Sequence, residues 1–312
     1  MTTSKSTAII LGTRGSELAL FQAHHIAWLL QRQHLELSVK IRTITTSGDR
    51  ILDSPLSKIG DKGLFVKEIE NELISGDIDI AVHSCKDMPT EIPIGLRLSA
   101  FSSREDPRDA FIGDSSFRTI GDIPEGGKIG TSSLRRRSQL MALRPDLEIV
   151  DIRGNVDTRI RKISELGLDG TILAAAGIRR LERQGEASFF FATEQMIPAV
   201  GQGVIAIECR EDDPQVRKLI SCLNNEESAV AVAAERAFMH QLEGGCQVPI
   251  GAHAIVNDDI LTMNAYMGSL DGIRNVRDRI EGSPDEAAGL GIVLAKRMFN
   301  AGGEAILSEI RE

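Results

Sequence analysis

AIILGTRGSELALFQAHHIAWLLQRQHLELSVKIRTITT, Ala8 to Thr46, decides the fold. AIILGT, Ala8 to Thr13, is an apolar run that reads as a buried strand. From Ser16 to about Gln33 apolar residues recur at helical spacing, through Leu18, Phe21, Ala23, Ile26, Leu29 and Leu30. LSVKIRTITT, Leu37 to Thr46, alternates and is β-branched, which predicts a second strand. Strand, helix and strand at this spacing make a βαβ unit on a parallel sheet, so the chain is α/β.

Working outward, the alternation continues. A helix is predicted from about Leu64 to Ser75, and a buried strand over IDIAVHS, Ile78 to Ser84. REDPRDAF, Arg104 to Phe111, is a shift in composition that reads as a crossing between domains. A second βαβ series then begins: KIGT from Lys128, a helix over Leu134 to Leu143, LEIVDI from Leu147, a helix from about Val156 to Leu166, and GTILAA from Gly170. PAVGQGVIAIECR, Pro198 to Arg210, reads as a glycine-rich hinge running into a buried strand that returns to the first sheet. The last part reads as a helix from Glu226 to Gln241, then alternating segments near Ala252 to Val256, Leu261 to Tyr266 and Ile273 to Ile280. A final helix is predicted from about Pro284 to Asn300. That pattern predicts a small α+β domain with an antiparallel sheet. The expected domains are therefore 1–103 with 204–222, then 104–203, then 223–312.

Composition narrows the function classes. At 312 residues the chain can bury a sizeable core. Aromatic residues are only 4% and net charge is −9, which argues against stacking on nucleic-acid bases and against anionic membrane. The opening MTTSKSTAIILGTRGS has too short an apolar run for a secretory signal or a membrane span. Cys85, Cys209, Cys222 and Cys246 are scattered without a CxxC pair, which fits free thiols in a reducing cytoplasm. Six histidines show no ligand spacing, so no metal site is expected.

Three stretches carry chemistry. HSCKDMPT puts Ser84, Lys86 and Asp87 where a parallel strand ends, the edge at which open α/β sheets bind ligands. A surface ion pair beside the turn at Pro89 would account for Lys86 and Asp87 taken alone. From Lys128 to Arg180 there are eleven Lys and Arg against six Asp and Glu, in a chain that is otherwise acidic. Arg135, Arg136 and Arg137 open one helix, Arg153 and Arg159 flank GNVDT, and Arg179 and Arg180 follow AAAGI. Three groups after three successive strands meet at one sheet edge, which predicts a polyanion site and not merely a solvated face. LEGGCQVPIG, Leu242 to Gly251, sets Cys246 on a tight loop shaped by Gly244, Gly245 and Pro249. The loop alone suits a small buried residue as well as an exposed nucleophilic thiol. SGDRILDSPLSKIGDKG, Ser47 to Gly63, reads as a long surface loop and a candidate lid.

GTRGSELAL, GDKGLF, AVHSCKDMPT, REDPRDAF, GTSSLRRRSQL, RGNVDTR, AAGIRRL, PAVGQG and LEGGCQVPIG, in that order, resemble the porphobilinogen deaminases, also called hydroxymethylbilane synthases. The resemblance runs from about Ile10 to the C-terminus. It implies two domains like type II periplasmic binding proteins around a cleft, plus the small third domain. It implies a monomeric cytoplasmic transferase that joins four porphobilinogen molecules into linear hydroxymethylbilane with loss of ammonia, for porphyrin and haem synthesis. A dipyrromethane cofactor would be held by a thioether to Cys246. On the same resemblance Asp87 is the catalytic carboxylate. Ser84, Lys86, Asp49, Thr131, Ser133, Arg135 and Arg136 would hold the cofactor. Arg14, Ser16, Lys58, Arg153, Arg159, Arg180 and Gln202 would hold substrate. The sequence departs from the family pattern at Cys85, where an apolar residue is expected, and at Arg137 beside the usual arginine pair.

Overall fold

The computed structural model describes residues 8–50, 63–242 and 248–311. Cys246, Lys58 and most of the candidate lid, from Ile51 onward, lie outside the described residues. In chain order the structure runs β1 (Ala8–Thr13), α1 (Glu17–Gln33), β2 (Ser38–Thr43), α2 (Lys67–Ser75), β3 (Ile80–Ser84) and β4 (Leu96–Phe101). There follow β5 (Asp109–Gly113), β6 (Lys128–Gly130), α3 (Leu134–Leu143), β7 (Glu148–Val150), α4 (Val156–Glu165), β8 (Gly170–Ala174), α5 (Ala175–Arg180) and β9 (Phe189–Phe190). Next come β10 (Ile205–Arg210), α6 (Pro214–Ile220), α7 (Glu226–Gln241), β11 (Ile250–Asn257), β12 (Ile260–Gly268), β13 (Asn275–Gly282), α8 (Ala287–Met298) and α9 (Glu304–Arg311). The chain is α/β, and its described residues divide into two compact units: one of residues 8–50, 63–104 and 204–229, the other of 105–203, 230–242 and 248–311.

The first unit is built on a five-stranded sheet in the order β2-β1-β3-β10-β4. β1 pairs in parallel with β2 and β3, while β10 is antiparallel to both β3 and β4. The segment after PAVGQG thus returns to the first sheet, as the sequence predicts. Apolar runs such as AIILGT are what a parallel strand covered on both faces requires. Leu11, Ile80, Val82 and Ile207 pack there against Ala23, Ile26 and Leu30 of α1. Ser16 caps α1 by accepting a hydrogen bond from the Ala19 amide. The opposite face is closed by Ile69 and Leu73 of α2.

The second unit repeats this plan with β7-β6-β8-β5-β9: three parallel strands, then β5 antiparallel to β8. REDPRDAF is therefore not only a crossing, because β5 starts inside it. The same unit contains the antiparallel sheet β11-β12-β13, whose last strand alternates strictly between half-buried and exposed residues. Tyr266 of β12, the chain's only tyrosine, is fully buried and shares a hydrogen bond with Ser138 of α3 at 2.7 Å. Glu235 of α7 is fully buried, and its carboxylate accepts from the amides of Gly201 and Ala254, both at 2.7 Å. The glycine-rich turn before β10 is thereby pinned to a helix and a strand. Gly201 and Gly203 adopt φ of 70° and 91° there, a backbone only glycine enters cheaply.

Helix α8 offers a paired test of close packing. A Cβ on Gly291 would collide with the Ala234 carbonyl of α7, whereas one on Gly289 meets nothing within 4 Å. Gly291→Ala is expected to destabilise by about 1–3 kcal/mol through forced backbone movement. Gly289→Ala is expected to stabilise by about 0.5–1 kcal/mol through helix propensity. Denaturant unfolding of the two variants measures both signs.

Candidate active site

The ends of β1 and β3 and the start of α1 enclose a cavity in the first unit. It measures about 400 Å³ including its open mouth, and Arg14, Ser16, Gln22, Phe65, Ser84 and Asp87 help line it. Asp87 closes a short 3-10 turn, Cys85–Asp87, that follows β3 directly. Arg14 follows β1, and its guanidinium grips Asp49, with Nη2 2.5 Å and Nε 3.2 Å from Oδ1. Nη1 of the same residue lies 4.0 Å from the Asp87 carboxylate. The guanidinium also stacks over the Phe65 ring, 4.2 Å from its centroid. Burial works against the charge of Asp49. Hydrogen bonds from Arg14 and Thr46, with the arginine's charge, outweigh it and hold the carboxyl below the usual range. Asp49 thus fixes a cation whose free side faces Asp87.

Ser84 shares a hydrogen bond with Gln22 of α1, at 3.0 Å from the amide nitrogen, and Gln22 is buried. Ser16 is spent as the cap of α1. Lys86 is half-buried on the same turn and has an interaction partner. Of the sequence candidates, the first unit thus assembles Arg14, Ser16, Asp49, Ser84 and Asp87 around one cavity. Gln22, Phe65 and His83 join them, although sequence reasoning assigned none a role. His83 is next to Ser84, and Gln22 lies nearly two turns along α1 from Ser16, but a neutral amide inside an apolar helix carries no functional signal.

The second unit handles its arginines differently. Arg135 and Arg136 were expected on an open anion-binding wall, but both are only 4% exposed. Arg135 Nη1 donates to Asp109 Oδ2 at 2.7 Å and to the Ile197 carbonyl at 2.8 Å. Arg136 donates to Asp109 Oδ1 through Nη2 at 2.7 Å and Nε at 3.1 Å, and to the Ile172 carbonyl. Gln202, expected to reach substrate, is 1% exposed, and its amide donates to the Pro107 carbonyl and to Asp109. Asp109 is fully buried at the start of β5. Burial opposes its charge, yet the two guanidiniums hold its carboxyl far below the ordinary range. In this arrangement the three residues brace a buried carboxylate. An acidic residue opening the apolar run DAFIG, with consecutive arginines downstream, is the signal that sequence reasoning passed over.

The other candidates stay at the strand ends. Thr131 and Ser133 surround the start of α3, where Ser133 caps the helix through the Arg136 amide. Arg159 donates to the Gly154 carbonyl, and Arg153 and Arg159 each have partners. Arg180 lies on α5 and donates to the Gly203 carbonyl; burial lowers its pKa to about 10. Among the described residues no group of three or more His, Cys, Asp or Glu could hold a metal ion.

A family model described as "Porphobilinogen deaminase, dipyromethane cofactor binding domain" matches residues 9–218, and "Porphobilinogen deaminase, C-terminal domain" matches residues 229–300. The chain belongs to the porphobilinogen deaminase family. Porphobilinogen deaminase of Syntrophomonas wolfei is 51% identical over 302 residues, 97% of this chain and 98% of the relative. That of Geobacter sulfurreducens is 50% identical over 300 residues, 96% and 94% of the two chains. The substrate binding domain of a putative molybdenum ABC transporter from Clostridium difficile shows a likeness with TM-score 0.46 and 9% identity, covering 72% of this chain and 94% of that one. The family polymerises porphobilinogen into hydroxymethylbilane in tetrapyrrole biosynthesis, and the matched domain is its dipyrromethane-binding one.

The buried cluster generates a stability test. Arg136→Leu leaves Asp109 charged, buried and half-partnered, so a loss of about 3–5 kcal/mol is expected. Arg161→Leu removes an exposed pair with Glu165 and is expected to cost about 0.3–0.5 kcal/mol. Urea unfolding of both variants checks the contrast.

Proposed function

We propose that this chain polymerises four porphobilinogen molecules into linear hydroxymethylbilane on a dipyrromethane carried by Cys246. The observation that supports it best is the setting of Asp87, at the carboxyl end of a central strand with Arg14 4.0 Å away and Ser84 alongside. A ligand bearing acetate and propionate groups needs cations, and a pyrrole N–H needs a carboxylate; this cavity offers both. When bound, the dipyrromethane supplies the nucleophilic pyrrole carbon.

The chain's own residues divide the remaining work. The Asp87 carboxyl gives its proton to the departing amine of the substrate, and the electrons of the breaking C–N bond leave with nitrogen as ammonia. The resulting carboxylate faces the cation left on the substrate's pyrrole and accepts the proton released when the rings join. Arg14 holds a substrate carboxylate and is itself oriented by Asp49. Ser16, Ser84 and Lys86 add hydrogen bonds and charge in the first unit. Thr131, Ser133, Arg153, Arg159 and Arg180 are the candidate anion-binding residues of the second unit, where Arg135, Arg136 and Gln202 brace Asp109. Lys58 adds charge to the substrate set. Residues 223–312 act as a third domain bearing the cofactor cysteine.

We place the protein in the cytoplasm as a monomer with no nucleic-acid or membrane partner. Net charge of −9 opposes binding to nucleic acid and to anionic membrane. The mass of the denatured protein tests the cofactor assignment. The purified chain is expected to exceed its sequence mass by one dipyrromethane unit, and Cys246→Ser to lose the increment. Unmodified mass in the purified wild-type protein would overturn it.

A further inference from the structure

Behind the cavity the first unit buries three ionisable side chains that the proposed reaction does not use. His83 of β3 lines the cavity, and its Nε2 lies 3.0 Å from Glu208 Oε2 of β10. Glu208 is fully buried, and Glu70 of α2 is 6% exposed. Glu208 Oε1 and Glu70 Oε1 have no hydrogen-bond partner among the described residues. The charges acting on Glu70 are Glu208 from β10 and His83 from β3. The other charged groups near α2 are engaged elsewhere: Arg42 with Glu72, and Arg210 with the Leu73 and Ile78 carbonyls. Arg14 and Asp87 stand on the cavity side.

Such a cluster costs stability, because buried carboxylates without full partners are unfavourable. An apolar trio would fill the space more cheaply, so a compensating use is indicated. Its place suggests one. Successive residues of β3 point to opposite faces of the sheet. Ser84 is held from one face by Gln22 of α1, and His83 is held from the other by Glu208 and the neighbouring Glu70. The clamped dipeptide leads straight into the turn that carries Asp87.

We propose that Glu208, with Glu70, is a positioning group for the reaction: it locks His83 and thereby fixes the strand end that presents Ser84 and Asp87 to the cavity. The inference rests on the function proposed above. Displacing a reacting group by about 1 Å costs on the order of a hundredfold in rate. Removing the Glu208 charge should therefore act on turnover more than on substrate binding.

The cluster also leaves a signature in pH. Burial, then the charge of Glu208, pushes Glu70 up to about 7, with His83 opposing. A carboxyl raised on folding contributes stability below its unfolded pKa that is lost as pH rises through the folded one. Between pH 5 and 8 this group should lower the melting temperature as pH increases.

The test uses the cofactor-loaded enzyme, with porphobilinogen consumption and thermal unfolding read from pH 6 to 8.5. Glu208→Gln keeps the shape and is expected to lower kcat at least tenfold with KM within threefold of wild type. Glu70→Gln is expected to flatten the fall in melting temperature, and to match wild-type kcat at pH 6 while departing from it severalfold above pH 7.5. Wild-type kcat in Glu208→Gln, or a Glu70→Gln rate profile that follows wild type at every pH, would reduce the cluster to a structural role and overturn the proposal. If Glu208→Gln does not fold, the Glu70→Gln profile decides. Wild-type protein that consumes no porphobilinogen at all would instead refute the function itself.

Discussion

The ion pair between Arg14 and Asp49 is the contact on which the cavity depends. A guanidinium left alone beside a cavity would sample many rotamers. Here two hydrogen bonds to one carboxylate and the Phe65 ring beneath leave it a single direction. That direction brings Nη1 to 4.0 Å from the Asp87 carboxylate, at the outer limit of an ion pair. Asp49 therefore acts indirectly, by satisfying most of the arginine so that Asp87 need not.

The second unit uses the same ingredients for a different end. Asp109 accepts from Arg135, Arg136 and Gln202 in a fully buried setting, joining β5, α3 and the turn before β10. One carboxylate between two arginines leaves a net positive charge at that buried site. The units thus share a sheet plan while placing their ion pairs differently, one at a cavity rim and one in the core.

The βαβ pattern was legible because parallel strands covered on both faces leave long apolar runs. AIILGT, IDIAVHS and GTILAA all stand out this way. Helix α3 spans Leu134–Leu143 and α7 spans Glu226–Gln241, as periodicity predicts. The antiparallel β4 was not recognised, although LRLSAF alternates apolar and polar over its first five residues, because so short an alternation between two loops gives little signal. β5 hid inside REDPRDAF for a similar reason: its charges draw the eye, while its first residue is a buried aspartate. For the site, the position of Asp87 followed from the strand-end rule. The burial of Arg135, Arg136 and Gln202 did not, because a helix start is equally able to offer arginines to solvent or to a buried acid. His83 and Glu208 are 125 residues apart in sequence and meet only through the pairing of β3 with β10.

The central claim is that the charge of Asp87, held beside Arg14, carries the proton chemistry. Single-turnover release of ammonia from porphobilinogen by cofactor-loaded Asp87→Asn and Asp87→Glu tests it most directly. Asn keeps shape and hydrogen bonding but loses charge and proton, so a loss of at least about a hundredfold is expected. Glu keeps both and misplaces them by one methylene, so it should be slow yet clearly faster than Asn. Ammonia release by Asp87→Asn at the wild-type rate would contradict the account and move the acid elsewhere in the cavity.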